Sequence, residues 1–157
     1  MSAKFKRILC PTDFSEMSIE ALKYARDLAK TFDGELHCLH VVDEAYQYWS
    51  SMGPESIPVG PPAEDLIGLG ESRMKIFADQ HLADIDPPVK TVVRLGRPFA
   101  EIVGYARENE IQLIVMATHG RGGIVHALLG STTEKVVRKA PCAVLTFRPE
   151  DQEVVMP

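Results

Sequence analysis

The sequence has little of what several protein classes require. Cysteine is scarce: Cys10, Cys38 and Cys142 are odd in number and show no Cys-x-x-Cys spacing. Each lies in an apolar, strand-like run, the setting of a buried reduced thiol in a cytosolic protein, so no disulfide scaffold is expected. No apolar run approaches the ~20 residues of a membrane span. Residues 1–4 are not followed by an apolar stretch, so no signal peptide is expected. Excess positive charge is missing too. The net charge of −5, the pI near 5.5 and the scatter of lysine and arginine argue against a nucleic-acid face. The densest basic cluster, Lys4-Phe5-Lys6-Arg7, is short and sits at an expected strand start.

Familiar chemical motifs are absent as well. No lysine follows the glycines as a Walker loop needs for the terminal phosphates. Gly120-x-Gly122 meets Val125 where a dinucleotide fingerprint has its third glycine. There is no Gly-x-Ser-x-Gly elbow for an esterase nucleophile. His37 and His40 suggest a metal pair, but three residues along a strand put them on opposite faces. His81, His119 and His126 are unclustered, and His119 lies in a loop, open to ligand or to solvent. No acidic cluster makes a private metal site, and no catalytic residue is assigned.

What is present reads as one domain over residues 1–149 with a polar tail at 150–157. A chain of 157 residues with 45% hydrophobic content can bury a real core. Strands are expected at 7–11, 35–42, 89–95, 113–117 and 141–147, and helices at 16–32, 63–83, from Pro98 onward, and 132–139. Ser15 suits a helix cap, Asp33-Gly34 a helix end, and Pro98 a first helical position. Met17, Ala21, Tyr24, Ala25, Leu28 and Phe32 recur at helical spacing, as do Leu66, Leu69, Met74, Phe77, Ala78 and Leu82. Residues 45–62 lose all periodicity while carrying Tyr46, Tyr48 and Trp49, and read as a binding loop, a lid or a tucked insertion. The alternation implies an α/β fold, a five-stranded parallel doubly wound sheet with helices on both faces. Ligands of such sheets sit at strand carboxyl ends where the winding reverses.

One stretch fits that position. The apolar run ending at Ala117 leads into Thr118-His119-Gly120-Arg121-Gly122-Gly123, and Gly130-Ser131-Thr132-Thr133-Glu134 follows. Ser131-x-x-Glu134 has the capping-box pattern, with a helix starting just after Ser131. Glycines let a ligand approach main-chain N–H groups, and a helix N-terminus suits phosphate. An ordinary connection with glycines at tight turns has the same spacing.

With these places fixed, the chain resembles the universal stress protein family. The resemblance rests on residues 8–15, Leu39-His40-Val41-Val42, Leu95-Gly96-Arg97-Pro98, residues 117–123, residues 128–136 and Ala140-Pro141-Cys142-Ala143-Val144, in the family's order. It implies a Rossmann-like fold of the adenine nucleotide alpha hydrolase type, usually a homodimer, often joined through the last strand. The family's nucleotide-binding branch carries Gly-x2-Gly-x9-Gly-Ser/Thr and holds ATP. Here the pattern is Ala117-x2-Gly120-x9-Gly130-Ser131, with alanine for the first glycine. Carried over by position, Pro11, Thr12 and Asp13 line the ribose and adenine side, and Val41 meets adenine through its backbone. Met116, Ala117, Thr118, His119, Gly120 and Gly123 surround ribose and phosphates. Gly130, Ser131 and Thr132 hold the phosphate tail, with Arg121 as counter-charge.

Plainer roles stand beside these. Asp13 can cap the next helix, Val41 can be sheet core, and Arg121 can be solvated. The Ser131 hydroxyl can cap its own helix or face phosphate.

The resemblance thus implies a cytoplasmic stress-response regulator that binds ATP, with Mg²⁺ arriving on the nucleotide. Slow hydrolysis or autophosphorylation at Ser131 or Thr132 is a further expectation, and the protein partner is unspecified. The alternative is a nucleotide-free homodimeric adaptor of the same fold. A phospho-acceptor receiver domain shares the alternating order but wants more acidic residues and a lysine after the fifth strand. Phe147-Arg148-Pro149 stands there instead.

Overall fold

A computed structural model describes residues 5–44, 62–86, 88–119 and 129–148. Its elements run β1 (Arg7–Pro11), α1 (Glu16–Phe32), β2 (Glu35–Asp43), α2 (Ala63–His81), β3 (Lys90–Gly96), α3 (Pro98–Glu108), β4 (Leu113–Ala117), α4 (Ser131–Lys139) and β5 (Ala143–Phe147). All pairings are parallel and the sheet order is β3-β2-β1-β4-β5. The chain winds outward from β1 to β3, then crosses back to β4 and β5. The switch therefore lies between β1 and β4, where Ile8 is in register with Leu113 and Leu9 with Ile114.

Strand alternation divides the core into two layers. Ile8, Cys10, Leu36, Cys38, Leu113 and Val115 pack under α1 and α2, against Ala21, Leu22, Ala25, Met74 and Phe77. Leu9, Leu39, Ile114 and Met116 point the other way, to Ile102, Tyr105 and Ala106 of α3 and Val136 of α4. Ile8, Leu9, Leu39, Ile114 and Val115 are fully buried. Each contributes about 1.5–3 kcal/mol relative to an exposed side chain. Covered on both faces, the central strands must be apolar throughout, hence the unbroken runs in the sequence.

The helix ends have local causes. Ser15 Oγ accepts the Ser18 N–H at 3.3 Å and starts α1 as its N-cap. The same helix ends on Asp33, which takes the left-handed conformation (φ 50°). Gly34 serves differently: a Cβ there would lie 2.5 Å from the Phe5 carbonyl oxygen, so backbone proximity requires the glycine. Lys6 Nζ donates to the Phe32 and Asp33 carbonyls at 3.1 and 2.9 Å, placing a cation where the α1 dipole is negative.

Several boundaries and faces differ from the sequence expectation. The second strand reaches Asp43, the third spans Lys90–Gly96, α2 stops at His81, and β5 begins at Ala143. The buried stripe of α1 is Ser18, Ala21, Leu22, Ala25 and Ala29; Tyr24 is 46% exposed and packs at a tilt against Phe147 with ring centroids 4.8 Å apart. On α2, Leu69 is exposed while Gly70 is buried, its Cα side pressed on Val42 and Val93. The expected aromatic segment lies outside the described residues, except Pro62, and so does the polar tail.

Candidate functional site

The exits of β1, β2 and β4 enclose a crevice of about 710 Å³, closed by α2 on one side and the first turn of α4 on the other. At the β1 exit the backbone is fixed before any ligand enters. Thr12 N–H donates to the Leu39 carbonyl at 2.8 Å, and His40 Nδ1 donates to the Thr12 carbonyl at 2.8 Å. The Thr12 hydroxyl accepts the Phe14 N–H at 3.0 Å and pairs with the Ser18 hydroxyl at 2.9 Å. Asp13 Oδ1 accepts the Ser15 N–H at 3.0 Å, so its carboxylate braces the turn into α1 while bordering the crevice.

Phe14 holds this turn in a costly shape. Its φ of 65° is unusual for a bulky residue. The ring lies 4.2 Å from the His40 ring and 5.3 Å from that of Phe77, contacts that offset the backbone cost.

The β4 exit is equally tied. Thr118 N–H donates to the Phe147 carbonyl at 3.0 Å, and the buried Thr118 and His119 pair through Oγ1 and Nδ1 at 3.1 Å. Gly130 N–H reaches back to the Thr118 carbonyl at 2.6 Å, and Thr133 Oγ1 donates to the Ala117 carbonyl at 3.0 Å. These two bonds seat the start of α4 on the end of β4. Its first-turn N–H groups, free of intrahelical acceptors, open at the crevice beside Ser131 and Thr132.

Of the two roles open to the Ser131 hydroxyl, capping its own helix is ruled out, and the helix starts at Ser131 rather than just after it. Gly130 is the N-cap, in an extended conformation (φ −65°, ψ 158°), and no side-chain capping bond forms. Its carbonyl accepts the Glu134 N–H at 2.9 Å, so Ser131 is already inside the helix and its hydroxyl is not spent on the cap. Glu134 pairs instead with Arg138 at 2.9 Å.

Of the residues singled out from the sequence, Pro11, Thr12, Asp13, Val41, Met116, Ala117, His119, Gly130, Ser131 and Thr132 all border the crevice. Thr118 is buried and anchors the loop without being part of the lining. His119, open in the sequence to a solvated reading, is 4% exposed. Gly120, Arg121 and Gly123 lie outside the described residues.

Sequence reasoning missed a whole wall, made by Leu66, Leu69, Gly70 and Arg73 of α2. It also missed Thr133. The one signal for the α2 wall was Gly70, a helix-interior glycine that allows close approach to the sheet. His37 and His40 do diverge: His37 bonds Tyr105 and Glu35, whereas His40 turns to Thr12 and Phe14. Among the described residues no cluster of three or more His, Cys, Asp or Glu could hold a metal, and no helix is long and apolar enough to cross a membrane. Cys10 and Cys38 are free, buried and adjacent in register; burial pushes the Cys38 thiol up to about 12.

This arrangement defines a doubly wound parallel α/β protein with a ligand-sized crevice at its switch point. The sequence profile of the universal stress protein family matches residues 4–148, and the chain belongs to that family. Universal stress protein MJ0531 of Methanocaldococcus jannaschii is 34% identical over 156 residues, covering 95% of this chain and 85% of that protein. YxiE of Bacillus subtilis is 33% identical, with 92% and 99% covered. The solved structure of MJ0577 superposes with a TM-score of 0.76 at 30% identity, covering 95% of this chain and 99% of that one. A universal stress protein in complex with cAMP shares the fold at a TM-score of 0.67 and 20% identity, with 92% and 98% covered.

Proposed function

We propose that the chain binds ATP or a related adenine nucleotide in this crevice and acts as a cytoplasmic, nucleotide-dependent regulator in stress response. The observation that carries this reading is the convergence of Asp13, Val41, Met116 and the Gly130–Thr132 turn on one cavity at the β1/β4 switch. The cradle fits the group. Gly130 packs so near β4 that a Cβ would stand 3.2 Å from the Thr118 carbonyl oxygen, and the open N-terminal turn of α4 suits an anion. Pro11, Thr12 and Asp13 would face ribose and base, Val41 the base, and Ser131 and Thr132 the phosphates. Arg121, Gly120 and Gly123 belong to the same set by family pattern. Mg²⁺ would enter with the nucleotide. The relative bound to cAMP supports an adenine nucleotide as the ligand class.

A homodimer is part of the proposal. The edge strand β5 presents Leu145, 39% exposed, and the exposed Tyr24 ring packs against Phe147 of the same strand, apolar surface suited to a second copy. The same surface supports the second reading, a nucleotide-free homodimeric adaptor, since it needs no ligand. Analysis of nucleotide released by denaturing protein purified from cells separates the two. Adenine nucleotide held in proportion to protein supports the regulator; dimers that stay empty and bind none on titration support the adaptor. Phosphorylation of Ser131 or Thr132 is tested by incubation with terminally labelled ATP, and protein without label removes that activity.

A further inference from the structure

The α2 wall carries a charge that the nucleotide reading has not used. Arg73 is the one lysine or arginine among the described residues lining the crevice, where Asp13, Asp43 and Glu134 supply the acidic groups. It forms no hydrogen bond or ion pair with any described residue, in contrast to Arg7, Arg94 and Arg138. Its place is set by Gly70, one helical turn earlier. A Cβ at Gly70 would lie 2.7 Å from Val42 Cγ2 and 2.9 Å from Val93 Cγ1, so α2 rests directly on β2 and β3. Leu69 and Arg73, four residues apart on one side of the helix, then face the carboxyl end of β2. Arg73 also borders the small groove beyond Phe14 and Phe77, so it stands at the rim of the crevice.

The two ends of the crevice are far enough apart to assign roles. The bond from Thr133 Oγ1 to the Ala117 carbonyl fixes the α4 turn over β4, whereas Gly70 fixes α2 over β2. With β1 between them, these strands are separated by about 9–10 Å. A nucleotide whose phosphates meet α4 presents its base to β2 and α2. Resting on the nucleotide reading above, we propose that Arg73 lays its guanidinium plane on the base and is a base-binding residue of the crevice. A planar, weakly hydrated guanidinium stacks face to face on an aromatic ring, a contact that a lysine ammonium, which meets the face only as a point charge, replaces in part. The apolar side chains of Leu66 and Leu69 wall the same end.

The test is titration of the full chain with ATP and, separately, with adenosine, for wild type, Arg73→Gln and Arg73→Lys. Arg73 is exposed, so both variants retain the fold, which circular dichroism checks. A base contact weakens ATP and adenosine binding by the same factor, roughly three- to tenfold in Arg73→Gln and by less, with incomplete recovery, in Arg73→Lys. Loss confined to ATP, or full recovery in Arg73→Lys, means a charge contact with phosphate and overturns the proposal, as do unchanged affinities. Failure of wild type to bind either ligand overturns the nucleotide reading itself, and this assignment with it.

Discussion

Gly70 of α2 lies against Val42 of β2 so closely that a single added methyl would stand 2.7 Å from Cγ2. This contact sets the depth of the crevice, because Leu66, Leu69 and Arg73 ride on the same helix. Gly70→Ala gains helix propensity but overpacks Val42 and Val93, and the net loss expected is about 1–3 kcal/mol. Chemical denaturation measures it. Gly68→Ala is the control: nothing lies within 4 Å of a Cβ there, so it stabilises by about 1 kcal/mol.

The buried His37 gives the fold a pH dependence. Nδ1 lies 2.6 Å from the Tyr105 hydroxyl and Nε2 2.9 Å from Glu35 Oε1, the pattern of a neutral ring accepting from tyrosine and donating to carboxylate. Burial pushes its pKa below the ordinary 6.5, against the pull of Glu35. The unfolded chain therefore takes up this proton first. The contribution of His37 is present above pH 6.5 and is lost as pH falls from there through the lowered folded value. Denaturation midpoints measured from pH 7.5 downward should fall below pH 6.5 in wild type and less steeply in His37→Gln.

Removing the partner tests the same network at constant pH. Tyr105→Phe leaves His37 Nδ1 buried without its donor and costs about 1–3 kcal/mol at pH 7.5. Arg94, 4.9 Å above the Tyr105 ring and paired with Glu108 at 2.6 Å, remains in place. A stability equal to wild type would show that the Nδ1 partner is dispensable.

Ala117 marks the departure from the family's glycine pattern, and it borders the crevice at the end of β4. Ala117→Gly should bind ATP more tightly, since it removes the methyl beside the expected ribose. It should also cost about 0.5–1 kcal/mol of stability from added chain freedom. Paired titration and denaturation curves check the opposite signs.

Much of this was legible beforehand, and the exceptions share a cause. Strands β1 and β4 end where expected because both faces of the sheet are covered, which forces short apolar runs with polar exits. Ser15 and Pro98 mark helix starts through chemistry that acts within one turn. The start of α4 was placed one residue late because the capping-box pattern is local, whereas Gly130 is held by Thr118, twelve residues back in the chain. His119 is buried for the same kind of reason: it pairs with Thr118, and Gly130 returns to that point of the chain, a contact that periodicity does not reveal. The α2 wall depends on Gly70 meeting two strands, a contact between distant residues, so helical spacing alone favoured Leu69 for burial.

Nucleotide binding at the Gly130 cradle is tested by calorimetry with ATP and Mg²⁺ on wild type and on Gly130→Arg. The substituted side chain would fill the close approach between Gly130 and Thr118 while leaving the central strands untouched. A saturable heat in wild type, absent in a Gly130→Arg protein that keeps its circular dichroism spectrum, is the predicted result. Equal binding by both proteins, or none by folded wild type, would contradict a nucleotide held at this turn.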